Sequence, residues 1–265
     1  MAFYMDEMTV KDMHTAIQKT NTVIIPVGIV EQHGFHLPLS TDIYVATMPL
    51  KCAGDRLNAV VAPPLTYCYS GGTLLGTVNV SPNAFALMMT DICSEFVRMG
   101  FVNIVIFMGH GGTANMAALK NALELYLSRD DALFKKITLS LVDCCELSPT
   151  FIEAFSTEPE HDFHAGLIET SLMMYWKPEL VRDEIVMDDE ETARNMRLDC
   201  DWFEKREKVF NHPYIVARVG QKEQIKVGVM GFPEKANKEL GKKVSDEMVD
   251  ALVEYVDMLE ARLVK

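Results

Sequence analysis

Short runs of β-branched and apolar residues alternate along this chain with longer segments whose apolar positions recur at helical spacing. Val23-Ile-Ile-Pro-Val-Gly28 reads as a buried strand, because an unbroken apolar run leaves neither face for water. Thr41 to Leu57 reads as a helix, followed by the strand Asn58-Ala-Val-Val-Ala-Pro63, which prolines close because they cannot donate to a ladder. Ser81-Pro82 predicts the cap and first turn of a helix running to Met99, and Gly100 ends it. Asn103 to Met108 is a third strand, Asn115 to Ser128 a helix, and Ile137 to Asp143 a further strand. Ala165 to Trp176 reads as a helix stopped before Pro178, Ile225 to Met230 as a late strand, and Ala236 to Leu263 as a long C-terminal helix. This alternation predicts an α/β fold: a single layered domain over residues 1–265, with a mostly parallel sheet flanked by helices.

In such sheets polar chemistry gathers at the carboxyl ends of the strands. Glu31-Gln-His33 follows the first strand, Gly109-His-Gly-Gly112 the third, and a loop with His161, Asp162 and His164 comes after the strand ending at Asp143. The next helix carries Glu169. Histidines 33, 36, 110, 161 and 164, five of the seven, thus fall in loops after predicted strands.

Glu31 and His33 are two apart, so in extended chain both project to one side. Asp42 opens a helix, where the dipole favours its charge. His110 lies beside glycines that allow close approach of an ion. Imidazoles and carboxylates without thiolates suit Zn²⁺, Mn²⁺ or Fe²⁺. Two ions sharing one carboxylate would draw on about five such ligands, with Asp42 the natural bridge. Taken singly, each residue has a plainer reading: His33 and His110 as hydrogen-bonded loop residues, Asp42 as a helix cap, His36 as a structural or substrate-side group. His161 and Asp162 stay open between the two. No GxGxxG or GxxxxGK[ST] loop supports a nucleotide site, and runs such as Leu87-Met-Met89 and Leu172-Met-Met174 read as core filling.

Composition narrows the classes further. With 49% hydrophobic and 24% charged residues the chain can build a sizeable core. A net charge of −13 with no basic cluster argues against nucleic acid as a partner. The acidic run Asp188-Asp-Glu-Glu191 reads as solvated surface. No apolar run approaches the ~20 residues of a membrane span, and the first residues lack a signal-peptide profile. The six cysteines include no CxxC, and the adjacent Cys144-Cys145 is poor geometry for an ordinary disulfide. Cys52, Cys68 and Cys93 are expected as buried free thiols in a cytoplasmic protein.

Three blocks in order carry a family resemblance. Pro26-Val-Gly-Ile-Val-Glu-Gln-His-Gly-Phe-His-Leu-Pro-Leu-Ser-Thr-Asp42, Gly109-His-Gly-Gly112 and His164-Ala-Gly-Leu-Ile-Glu-Thr-Ser171 resemble the metal motifs of the creatininase (creatinine amidohydrolase) family. Gly228-Val-Met-Gly-Phe-Pro233 is similar to an element before that family's last helix. The resemblance implies a metal-dependent hydrolase with two divalent ions per chain, Zn²⁺ first, then Mn²⁺ or Fe²⁺. It implies Glu31 and His110 on one ion, His33 and Glu169 on the other, Asp42 bridging, and His164 as the catalytic histidine. It also implies a small-molecule substrate and a homo-oligomer, with a hexamer common in the family. Two departures stand out. Gly112 occupies the place of a metal-binding glutamate of creatininase proper, and Ser70-Gly-Gly-Thr-Leu-Leu-Gly-Thr77 lacks the histidine expected there. The resemblance thus implies attack on an amide or activated carbonyl of a small polar substrate, with creatinine itself ranked below a formamide and a keto-inositol carbon–carbon bond, and a non-catalytic relative as the remaining alternative.

Overall fold

The computed structural model describes residues 2–157 and 159–264. Strands β1 (Phe3–Tyr4), β2 (Thr22–Val27), β3 (Val60–Val61), β4 (Asn103–Met108) and β5 (Thr138–Asp143) form a parallel sheet in the order β1-β3-β2-β4-β5. Every residue of β2 and β4 is buried, as unbroken apolar strands require when helices cover both faces. Pro26 is tolerated inside β2 because the facing strand stops at Val61, and only the Pro26 carbonyl is used there, accepting from Leu65 N.

The helices are α1 (Val10–Ala16), α2 (Thr41–Ala53), α3 (Pro82–Met99), α4 (Thr113–Leu127), α5 (Asp131–Lys136), α6 (Pro149–Ser156), α7 (Leu167–Trp176), α8 (Glu190–Leu198) and α9 (Lys238–Ala261). Alternate strand residues feed opposite layers. Ile24, Val105 and Phe107 pack with Leu50 of α2, Leu172 of α7 and Met248 and Leu252 of α9. Val23, Ile25, Ile104 and Ile106 pack with Phe85, Met89 and Cys93 of α3 and Leu119 of α4. Each such side chain contributes about 1.5–3 kcal/mol by leaving water, so apolar burial holds the sheet against its two helical layers. The mostly parallel, helix-flanked sheet expected from the sequence is the observed one. Ser81 caps α3 as expected, accepting from Ala84 N, and among the described residues no helix is long and apolar enough to cross a membrane.

Four expectations need correction. Ile225 to Met230 is not a strand: the Asp188 carboxylate accepts from the amides of Lys226, Val227 and Gly228, taking the donors a ladder would need. Only Met230 pairs, as an isolated antiparallel bridge to His164. Asp188 is correspondingly buried, so just the rest of that acidic run is surface, with Asp189 capping α8. Cys52 is exposed, whereas Cys68 and Cys93 are buried. Of the methionine runs, Met89 and Met173 are core, but Met88 is exposed. The stretch after α8, which the sequence pattern left irregular, holds an antiparallel hairpin of β6 (Glu204–Glu207) and β7 (Arg218–Gln221).

Candidate metal centre

The ends of β2 and β4 and the first turn of α2 meet at one point. Gly109, just past β4, donates its amide to Val27 O at 2.7 Å. A Cβ on Gly109 would stand 2.2 Å from Asp42 O, so only glycine lets α2 sit this close to the strand end. The loop from Glu31 closes on itself, with Glu31 N donating to Leu39 O at 2.9 Å. Glu31, His33 and Asp42 are thereby returned to the same place, all buried.

The Asp42 carboxylate lies between two imidazoles. Its Oδ1 is 3.2 Å from His33 Nε2, and its Oδ2 is 3.2 Å from His110 Nδ1. On the His110 side Glu31 Oε2 is also 3.2 Å from Nδ1. On the His33 side Glu169 Oε2 is 3.8 Å from Nε2. Glu31, Asp42 and His110 form one group whose ligand atoms lie within 4.8 Å of one another; His33, His164 and Glu169 form a second. His33 Nδ1 lies 3.1 Å from Glu31 O; a carbonyl only accepts, so the proton is on Nδ1 and Nε2 is the basic nitrogen.

Glu169 and His164 come from the other side of the cleft, held by Asp162. Its buried carboxylate accepts from Leu167 N at 2.6 Å, Ile168 N at 3.0 Å and Phe232 N at 3.0 Å. It thus caps α7 and ties that helix to the loop after Met230, which settles Asp162 as a structural cap. Ala165, at φ 52°, makes the turn that lets its amide donate to Glu169 Oε2 at 2.5 Å. His164 Nε2 donates to Gln32 O at 2.8 Å, which leaves Nδ1 as its basic nitrogen, and its ring lies 4.3 Å from that of His33. His36 is fully buried with Nε2 3.1 Å from both Ala165 O and Thr170 Oγ1, a structural position. His161 donates its amide to Arg197 O and packs beside Phe163; it stands outside both groups.

Electrostatics binds the set together. Burial works to raise the Glu31 carboxyl, and the charge and hydrogen bond of His110 together with the charge of His164 outweigh it, holding Glu31 below its ordinary value. The same contest at Asp42 is won by His33 and His110, and its carboxyl is pulled far down. Burial works to lower His33 and His110, yet the facing carboxylates hold both well above the ordinary imidazole value. Protons and cations thus compete for one anionic hole. Glu31 Oε2 and Asp42 Oδ2 are buried with no hydrogen-bond partner, and such acceptors are costly unless a cation faces them. The donor set of oxygen and nitrogen, the two-sided carboxylate and these orphaned oxygens fit two divalent cations.

Spacing did not reveal two of the supporting groups. The Ser70 hydroxyl donates to Glu31 Oε1, so the segment that lacks a histidine still reaches the site. Asp143, at the end of β5, lines the same cavity of about 170 Å³. Phe151, Phe155 and Phe163 form one apolar wall, Phe203 and Gln221 of the hairpin region another, and no Lys or Arg lines the cavity among the described residues.

A family model described as creatinine amidohydrolase matches residues 6–256. The chain belongs to the creatininase family. A mycofactocin precursor peptide peptidase of Mycolicibacterium smegmatis is 32% identical over 192 residues, which are 67% of this chain and 66% of that relative, so the match spans just under two thirds of its length. A creatinine amidohydrolase of Pseudomonas putida is 28% identical over 202 residues, 70% of this chain and 76% of that one. These names make the creatininase family one of hydrolases. A solved manganese creatininase has the same fold, with a TM-score of 0.77 at 21% identity over 98% of this chain and 99% of that one. At Gly112 a Cβ would lie 2.5 Å from His110 Nε2, so the imidazole occupies the space a side chain there would need.

Proposed function

We propose that this creatininase-family protein is a two-metal amidohydrolase acting on a neutral or cationic amide. The reading is carried by Asp42, whose two oxygens face different histidines at 3.2 Å. Glu31 and His110 would hold one cation and His33 and Glu169 the other, with Asp42 shared between them. Zn²⁺ suits this oxygen and nitrogen donor set best, with Mn²⁺ or Fe²⁺ as substitutes. When bound, the cations supply Lewis acidity that activates water and polarises the substrate carbonyl. His164 is the catalytic histidine. Its Nε2–H is anchored on Gln32 O, which orients the ring so that Nδ1 can carry a proton to the departing nitrogen.

The cavity supports the substrate class. Its phenylalanine wall is apolar, and lining carboxylates outside the proposed ligand set, Asp143 and Asp201, meet no lining Lys or Arg and so disfavour a substrate carboxylate. The relatives' names span a peptide bond and a cyclic amide, and the C–N bond is what they share. We place the protein in the cytoplasm as a homo-oligomer, consistent with free thiols at all six cysteines and with the exposed apolar residues Val209, Phe210, Tyr214 and Val216.

The test is a panel of cyclic amides, short peptides, formamides and keto-inositols, each offered with and without a carboxylate, to protein loaded with Zn²⁺ or Mn²⁺. Metal-dependent cleavage of a C–N bond, slower for the carboxylated partner, is expected. Ring opening of a keto-inositol alone would move the reaction to a C–C bond. Full metal loading with no turnover on any member would leave a non-catalytic relative.

A further inference from the structure

Beside the candidate metal centre, the turn after β5 brings Asp143, Cys144 and Cys145 together, with ligand atoms within 4.8 Å of one another. We propose that these three residues form a separate, thiolate-rich site for a soft divalent cation such as Zn²⁺ or Cd²⁺ on the cavity wall. The two sulfurs are 3.9 Å apart. Two thiolates on one tetrahedral zinc, each at about 2.3 Å, lie about 3.8 Å apart, so the pair already spans one edge of that tetrahedron. A disulfide would instead need the sulfurs to close to about 2.05 Å between adjacent residues.

The carboxylate is set for the same task. Asp143 Oδ1 accepts from Cys145 N at 3.1 Å, which pins the turn. Its Oδ2 lies over Gly111, where a Cβ would stand 2.9 Å away; the glycine leaves that oxygen open. All three residues line the cavity, so a fourth, tetrahedral position falls to solvent. The contact with Cys144 and burial together push the Cys145 thiol well up. At Cys144 the same contact works the other way, and burial and the Asp143 charge outweigh it. Both sulfurs therefore stay protonated until a cation arrives, and binding releases one proton from each.

The experiment titrates the metal-free full chain with Cd²⁺ in the presence of a phosphine reductant and follows thiolate-to-cadmium charge-transfer absorption. The five residues proposed for the catalytic centre contain no sulfur, so the band reports cysteine thiolates and should survive Asp42→Ala; Cys200 lines the same cavity, and Cys200→Ser should leave the band intact. Wild type is expected to show a saturable band. Cys145→Ser should abolish it, Cys52→Ser should leave it, and Asp143→Asn should weaken binding by roughly tenfold or more. Cys144 is buried, so its serine variant would test folding as well as binding; the wild-type titration and half-buried Cys145 decide the matter. No band in wild type, a full band in Cys145→Ser, or a loss of two hydrogens by mass without cadmium uptake would each overturn the proposal.

Discussion

The floor and the walls of this cavity are built by different means. On the floor, Glu31, His33 and Asp42 are buried and His110 nearly so, on strand ends and a helix start, with charges that answer one another across 3.2 Å. One wall is the hairpin of β6 and β7, whose connecting segment holds Val209, Tyr214 and Val216 almost wholly exposed. It reaches the site through few polar contacts, chiefly Thr73 N donating to Gln221 Oε1 at 2.6 Å. On the proposed reading, chemistry belongs to the over-determined region and substrate choice to the lightly held one, the usual division between a rigid scaffold and its loops.

Variants should separate the two regions by size and kind of effect. Asp42→Ala, which removes the group between both histidines, should cost more than any single proton carrier, above roughly 10⁴-fold in kcat/KM; near-normal turnover would break the assignment of the floor. His164→Ala should keep its metal and lose roughly 10²–10⁴-fold in kcat, measured with metal content in parallel; unchanged rates would move the proton to another group. Ser70→Ala frees one oxygen of Glu31 and should weaken metal affinity by about 10–100-fold with the fold intact by circular dichroism.

How much of this was legible in the sequence follows the same line. Glu31, His33, Asp42 and His110 were legible as a group because strand ends and a helix start can be read from hydrophobic patterning, whereas Glu169 joined them only through the family resemblance; that they gather in one place is observed, and that they bind metal is proposed. The parallel sheet was visible from the same patterning. Ser70 and the role of Asp162 were not, since each acts on residues far off in the chain: Ser70 lies 39 positions from Glu31 and Asp162 70 from Phe232. The strand expected at Ile225 to Met230 failed similarly, because the distant Asp188 takes its amides. Local pattern predicts elements, and side chains that capture backbone donors from afar override it.

Two smaller effects refine the comparison. Because His33 and His110 are held well above the ordinary imidazole value, each must lose a proton to accept a cation. Metal affinity should therefore rise with pH, by up to about tenfold per unit for each proton displaced, until those imidazoles are neutral; a flat profile by calorimetry would deny the competition. On the wall, Phe203→Ala should raise KM by less than about tenfold while metal content and kcat hold. A loss of metal there would show that hairpin and floor are one unit after all.

The most direct test is the metal stoichiometry of the purified chain by inductively coupled plasma mass spectrometry, for wild type and Asp42→Ala side by side. A shared carboxylate predicts two transition-metal ions per wild-type chain and the loss of both, not one, in the variant. A single ion in wild type, or one retained at full occupancy without Asp42, would contradict the bridge.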